Sequence, residues 1–192
     1  MPHATHLASA ALNLRSRACA TALLCVACAA NAALPVGQAA PALRAQAALA
    51  GKPMQFDLAT ALKQGPVVLY FFPKAFTQGC TIEANAFAEA TPQFTAAGAT
   101  VVGLSHDDIA TLQQFSSEAC RDRFAVAADP KGEAIRAFDA EAATRPGTAQ
   151  RISYVIGQDG RIAFVHSDPD PMGHVSASLR AVQALKAAAP RP

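Results

Sequence analysis

Six consecutive apolar residues, Val67-Val-Leu-Tyr-Phe-Phe72, are followed at once by a proline and a polar loop. A run of this length, β-branched and aromatic, fits a strand hidden on both faces, because a one-sided strand alternates. Such a strand requires helices packed on both sides of its sheet, which directs the chain to a layered α/β design. Pro73 closes the run by removing a backbone donor. The loop leads into a helix over residues 81–94, with Ile82, Ala86 and Phe87 at helical spacing on one face. Pro92 is expected to kink that helix or begin a new turn.

The remaining chain repeats the alternation. Residues 99–105 (ATVVGLS) form a second apolar strand, followed by a helix over 108–120 with Ile109, Leu112 and Phe115 inward and Asp107 or Asp108 as its cap. A strand over 124–128 ends at Asp129-Pro130, and a short helix spans 133–140. Strands over 152–156 and 162–166 flank Gln158-Asp159-Gly160, a hairpin turn signal. An amphipathic helix over 175–188 closes the order β-α-β-α-β-α-β-β-α. Residues 35–65 read as a turn-rich opening segment with a short extended piece at 53–56. The order matches an elaborated thioredoxin-like fold, a mixed sheet flanked by helices.

The first residues stand apart. Arg15 and Arg17 precede the small-apolar run ACATALLCVACAA at 18–30, which ends in Ala30-Asn31-Ala32, the A-x-A form of a signal-peptidase site. Thirteen such residues are short of the roughly 20 needed to span a bilayer, so stable membrane insertion is not expected. Residues 1–32 are therefore expected to be a cleavable signal peptide, leaving a periplasmic domain of 33–192. Lipidation at Cys28 is the rival, weakened because Cys25 occupies the place where a lipobox prefers leucine. Cleavage removes Cys19, Cys25 and Cys28, leaving Cys80 and Cys120, so a framework of disulfides is excluded. The net charge of +2, with Lys and Arg scattered, indicates no nucleic-acid surface.

The chemistry lies in Pro73-Lys-Ala-Phe-Thr77-Gln-Gly-Cys80. A strand-to-helix loop puts Cys80 in the first turn of the helix, where free N–H groups and the helix dipole favour a thiolate. A thiolate attacking a peroxide needs donors near both oxygens and little water. The Thr77 hydroxyl can orient the peroxide, and Pro73 offers no N–H and stiffens the loop. Arg151, opening RISYVIG, supplies a cation if that strand lies beside the first. Isolated cysteines in apolar settings are commonly inert, so the spacing carries the argument.

The pattern P-x-x-x-T-x-x-C after an apolar strand resembles the peroxiredoxin active-site motif. VVLYFFPKAFTQGCTIEANAF, Val36-Gly37, Ala40-Pro41, Leu104-Ser105 with Asp107, Ala128-Asp129-Pro130 and Arg151 with Ser153-Tyr-Val-Ile156 resemble its bacterioferritin-comigratory (PrxQ) branch. The likeness runs from about Val36 to Leu185. It implies a thiol-dependent peroxidase in which Cys80 is oxidised to sulfenic acid by hydrogen peroxide or organic hydroperoxides. Thr77 would bond the peroxide, Pro73 would shield it, and Arg151 would stabilise thiolate and peroxide. No metal, flavin or haem is implied. The reductant would be a thioredoxin-like protein or small thiol, and the chain a monomer or homodimer.

One departure bears on turnover. Many PrxQ-type proteins carry a resolving cysteine five residues after the peroxidatic one; here Asn85 stands there. Cys120 is the remaining thiol, but a helix over 108–120 puts it about 20 Å from the sheet edge holding Cys80. A disulfide needs Cα atoms within about 7 Å, so pairing would require local unwinding. Resolution by Cys120, an intersubunit bridge, an external thiol and a packing role for Cys120 all remain open. His166, His174, Asp168 and Asp170 suggest a metal site, but the interleaved Pro169 and Pro171 favour a turn before the last helix. Two other functions stay in view. A thiol–disulfide exchanger lacks a C-x-x-C outside the leader, and a redox sensor would turn over once.

Overall fold

The computed structural model describes Met1 and residues 33–188. The expected leader, its cleavage position and Cys28 lie outside the described residues. In chain order the elements are β1 (Arg44–Leu49), β2 (Lys52–Asp57), α1 (Leu58–Leu62), β3 (Val67–Phe71), α2 (Gln78–Ala96), β4 (Thr100–Ser105), α3 (Ile109–Glu118), β5 (Ala125–Ala128), α4 (Glu133–Ala137), β6 (Glu141–Ala142), β7 (Arg145–Ala149), β8 (Ile152–Ile156), β9 (Ile162–Ser167) and α5 (Met172–Ala188).

Seven strands form one mixed sheet in the order β2-β1-β5-β4-β3-β8-β9, and β6 pairs with β7 separately. The thioredoxin-like architecture expected from the element order is present. β3 is central, parallel to β4 and antiparallel to β8, and all five of its residues are buried. Its side chains divide by parity, as a period of two requires. Val68 and Tyr70, with Phe72 beyond, pack among residues of α2, α3 and α5. Val67, Leu69 and Phe71 join the opposite core with Leu58, Leu62 and Ile135 of α1 and α4. Tyr70 stacks on Phe87 of α2 with ring centroids 4.4 Å apart, an anchor of about 0.5–1.5 kcal/mol beyond area burial.

Several expectations shift. The opening segment is largely a hairpin, β1 and β2, turning at Ala50 and Gly51, both with positive φ. The extended piece at 53–56 falls inside β2. A second hairpin, β6 and β7, was not anticipated. The buried face of α2 is Cys80, Glu83, Ala84, Phe87, Ala88, Ala90 and Phe94, whereas Ile82 is exposed and Ala86 only half-buried. The helix does not restart at Pro92 but runs on to Ala96, with Pro92 on its exposed side. Asp108 caps α3 by accepting from Thr111 N at 2.7 Å; Asp107 serves elsewhere.

Among the described residues, no helix is long and apolar enough to cross a membrane. The segment after β9 is the expected turn into α5. Asp168 and Asp170 accept from backbone N–H groups of that turn.

Candidate active site

β3 ends where α2 begins, so the loop between them lies at the C-terminal edge of the sheet, where ligands of open α/β sheets bind. Cys80 is the third residue of α2 and is 1% exposed. The first intrahelical acceptor at this end is Thr77 O, bonded by Thr81 N at 2.9 Å. The N–H groups before Thr81 therefore point from the helix end without helical partners, next to the sulfur.

The β3–β8 register pairs Phe71 with Ile152. Arg151 thus stands one residue beyond the end of β3 and beside the β3–α2 loop. Its Nη2 lies 3.6 Å from Cys80 Sγ, its Nε donates to Pro169 O at 3.1 Å, and its Nη1 donates to Glu83 Oε2. All three guanidinium nitrogens are engaged, and the planar fork leaves the group little freedom. Gly79 permits this approach: a Cβ there would sit 3.1 Å from Arg151 Nη2.

Glu83 was not anticipated. It shares the inner face of α2 with Cys80, three residues on, and its side chain is fully buried. Burial pushes its carboxyl up to about 8, with Arg151 acting in the opposite direction. Burial also pulls Arg151 down, but Glu83 and Cys80 more than offset this and hold the guanidinium above its usual value. The two shifts differ because Arg151 keeps partial access to solvent and Glu83 has none. Glu83 Oε1 has no hydrogen-bond partner among the described residues.

That oxygen lies 3.8 Å from Nδ1 of His174, also fully buried. His174 Nε2 lies 2.9 Å from the carbonyl of Asp168, which can only accept, so Nε2 carries the proton. Nδ1 then accepts from the Ser153 hydroxyl at 2.8 Å. Burial lowers His174 to about 4, keeping it neutral. The histidine braces the back of the site.

The motif residues converge. Thr77 is the N-cap of α2, and its hydroxyl donates to Lys74 O at 2.9 Å, leaving its lone pairs free to accept. Pro73, Lys74, Thr77, Cys80, His106, Asp107, Arg145, Thr148 and Arg151 line one cleft of about 520 Å³. Asp107 Oδ2 accepts from Ala75 N at 2.7 Å and from Ser105 Oγ at 2.8 Å, tying the β3–α2 loop to the end of β4. Phe76, in this loop, has φ of +62°, a left-handed conformation uncommon for a bulky residue.

Cys120 is not part of this cleft. It follows the C-cap of α3, is fully buried in the core, and its thiol is pushed well up by burial. The ten residues of α3 extend about 15 Å.

The buried Glu83 carboxyl makes stability depend on pH. In the fold Glu83 holds its proton to about pH 8, while the unfolded chain releases it near the ordinary carboxyl value of 4.5. Between these values the folded protein binds more protons, so this residue lowers stability as pH rises from about 4.5 to 8. Glu83→Gln keeps an acceptor for Arg151 and removes the titration. The melting temperature of Glu83→Gln relative to native protein is expected to rise by several degrees from pH 5 to pH 8. The difference between the proteins cancels the opposite contribution of His174, present in both. Parallel melting curves across the range would refute the assignment.

Sequence comparison agrees with the geometry. The AhpC/TSA family model matches residues 36–165. A peroxiredoxin Q of rice (Oryza sativa subsp. japonica), a chloroplastic protein, is 32% identical over 127 residues, 64% of this chain and 57% of the rice protein. The chain thus spans little more than half the length of that relative. Peroxiredoxin Q of Sedum lineare is 30% identical over 140 residues, covering 71% of this chain and 72% of the plant protein. Among solved structures, peroxidoxin BcpB from Mycobacterium tuberculosis is similar, with a TM-score of 0.72 and 25% identity over 79% of this chain and 98% of that one. With the motif, the sheet and the Cys80–Arg151 contact in agreement, the chain belongs to the AhpC/TSA family of peroxiredoxins.

Proposed function

We propose that the protein is a thiol-dependent peroxidase with Cys80 as its nucleophile. The observation that carries this is the fixed contact of Arg151 Nη2 with Cys80 Sγ at the N-terminus of α2. Thr77 accepts the O–H of the terminal peroxide oxygen and holds that oxygen toward sulfur. The thiolate attacks, an S–O bond forms, and the O–O bond breaks. The electron pair leaves on the distal oxygen as hydroxide or alkoxide, which takes a proton from water. Arg151 offers positive charge where negative charge moves from sulfur to the leaving oxygen, which is where preorganised donors act most strongly. Pro73 lines the cleft without adding a donor.

Cys80 sulfenic acid is then attacked by a thiol, releasing water and leaving a mixed disulfide. A second thiol displaces the first and restores Cys80. An external dithiol protein or small thiol is the favoured reductant, because Cys120 is buried, its thiol is held protonated, and it stands beyond α3. The leader reading extends the proposal: Arg15, Arg17, the apolar run and Ala30-Asn31-Ala32 support export to the periplasm with cleavage after Ala32.

With thiol in excess, the protein is expected to consume many equivalents of hydrogen peroxide. Without thiol, one equivalent should add one oxygen to Cys80, read by peptide mass mapping. Consumption that stops at one equivalent despite excess thiol would favour a sensor. A Cys80–Cys120 disulfide in the map would assign resolution to Cys120 instead.

A further inference from the structure

Arg151 serves two acids at once. Its Nη2 approaches Cys80 Sγ and its Nη1 donates to Glu83 Oε2, so one guanidinium is shared by a thiol and a carboxyl. With both acids ionised, two negative charges would divide one positive charge, and the Glu83 side chain is fully buried. A buried charge without a full partner is costly, so one acid must keep its proton. The hydrogen bonds around Glu83 show which.

His174 Nε2 donates to the carbonyl of Asp168 at 2.9 Å, so Nδ1 presents a lone pair. The Ser153 hydroxyl donates to that lone pair at 2.8 Å. Glu83 Oε1 faces the same nitrogen from 3.8 Å and has no hydrogen-bond partner among the described residues. A carboxylate oxygen and this nitrogen are both acceptors, and a buried ionised oxygen facing a lone pair is unfavourable. A proton between them makes the contact attractive. Since Oε2 already accepts from Arg151, the proton belongs on Oε1, toward His174.

The strand register sets Tyr70, Ser153 and His166 side by side across β3, β8 and β9, beneath this pair. Burial holds the Tyr70 phenol protonated, and its hydroxyl too lacks a partner among the described residues. His166 packs edge-on against His174 with ring centroids 4.6 Å apart. The Asp168 carboxylate accepts from Asp170 N in the turn before α5. With Cys80 on α2 and Arg151 before β8, these are the titratable groups around Glu83 and His174.

We propose that Glu83 and His174 hold one proton between them and act as positioning residues for the peroxide step: without net charge, the pair leaves the Arg151 cation to the Cys80 thiolate and the leaving oxygen. This rests on the peroxidase reading above. The proton stays with the pair while the leaving oxygen takes its own from water, so the balance of the step is unchanged. Once the pair loses its proton, Glu83 neutralises Arg151 and the positive charge at the sulfur weakens. Burial sets that loss at about pH 8.

The test is the second-order rate of Cys80 oxidation by hydrogen peroxide in a single turnover without reductant. It is followed from about pH 5 to about pH 9.5, with each protein normalised to its own maximum and its fold checked by circular dichroism. The native rate is expected to fall about tenfold above pH 8, less than the roughly 10²–10³-fold cost of losing a preorganised donor outright. Glu83→Gln stays neutral at every pH and should hold its maximum across that range. Ser153→Ala removes the hydroxyl that competes for His174 Nδ1, so the Glu83 proton gains a full hydrogen bond. Its fall should therefore move up by about half a pH unit or more, a shift that a packing role would not produce. A native rate that stays level to about pH 9.5 would overturn the proposal. So would a fall that persists in Glu83→Gln, or one that stays in place or moves down in Ser153→Ala. Failure of hydrogen peroxide to oxidise Cys80 at any pH would instead defeat the underlying peroxidase reading.

Discussion

A Cys80→Ser protein is expected to fold normally and to consume peroxide no faster than a protein-free blank. Serine is slightly smaller than cysteine, and its hydroxyl can keep a hydrogen bond with Arg151, whose Nη2 now lies 3.6 Å from the sulfur. The melting temperature should therefore move by only a few degrees. Activity should fall by roughly 10⁴-fold or more, since an alcohol is a far poorer nucleophile than a thiolate and Cys80 is the only cysteine lining the cleft among the described residues. The measurement is peroxide loss under excess thiol, with thermal melting alongside. Multiple turnover by a folded Cys80→Ser protein would remove Cys80 from the centre of the mechanism.

Arg151→Gln is the second large change. It removes the donor at the sulfur, the bond to Glu83 and the bond to Pro169 O together. Loss of a single preorganised donor commonly lowers the chemical step about 10²–10³-fold, and a fall of that order in kcat/KM is expected. Stability should drop as well, because the buried Glu83 loses its hydrogen-bond partner. Combining Arg151→Gln with Glu83→Gln separates the effects. The double variant should recover most of the lost melting temperature while staying slow with peroxide. If recovered stability brings back the rate, Arg151 acts on folding alone, and its part in stabilising the thiolate is wrong. Arg151→Lys is expected to rescue little, because a lysine cannot engage sulfur, carboxylate and carbonyl at once.

Much of this site was legible because its parts are coded locally. Pro73, Thr77 and Cys80 lie on one loop, and the run at 67–72 fixed where that loop would sit. Arg151 required one topological inference, that the strand it opens lies beside the first, and the β3–β8 pairing bears this out. Glu83 was missed because a charged residue ordinarily marks the solvent side of a helix. The apolar residues alone turn the inner face of α2 toward Ile82, whereas the buried stripe runs Cys80, Glu83, Ala84, Phe87. The partner that makes Glu83 tolerable inside is 68 residues away, beyond any local pattern.

The two missed hairpins have a different cause. β1 reads RAQAAL, alanine-rich and without β-branched residues, and its turn uses alanine at a position where asparagine or glycine would have signalled one. β7 begins Arg145-Pro146-Gly147, a sequence that reads as punctuation. Pairing and sheet contacts hold these strands, and such contacts do not show in composition.

Gly79 sets a limit on how this family member can vary. Any side chain there would begin 3.1 Å from the guanidinium, which is pinned on its other sides by Glu83 and Pro169. The guanidinium would have to give by a few tenths of an ångström against those contacts. A position that bears no functional group thus bears on the geometry at the sulfur. Selection on the reaction would be felt there as selection for a missing methyl group.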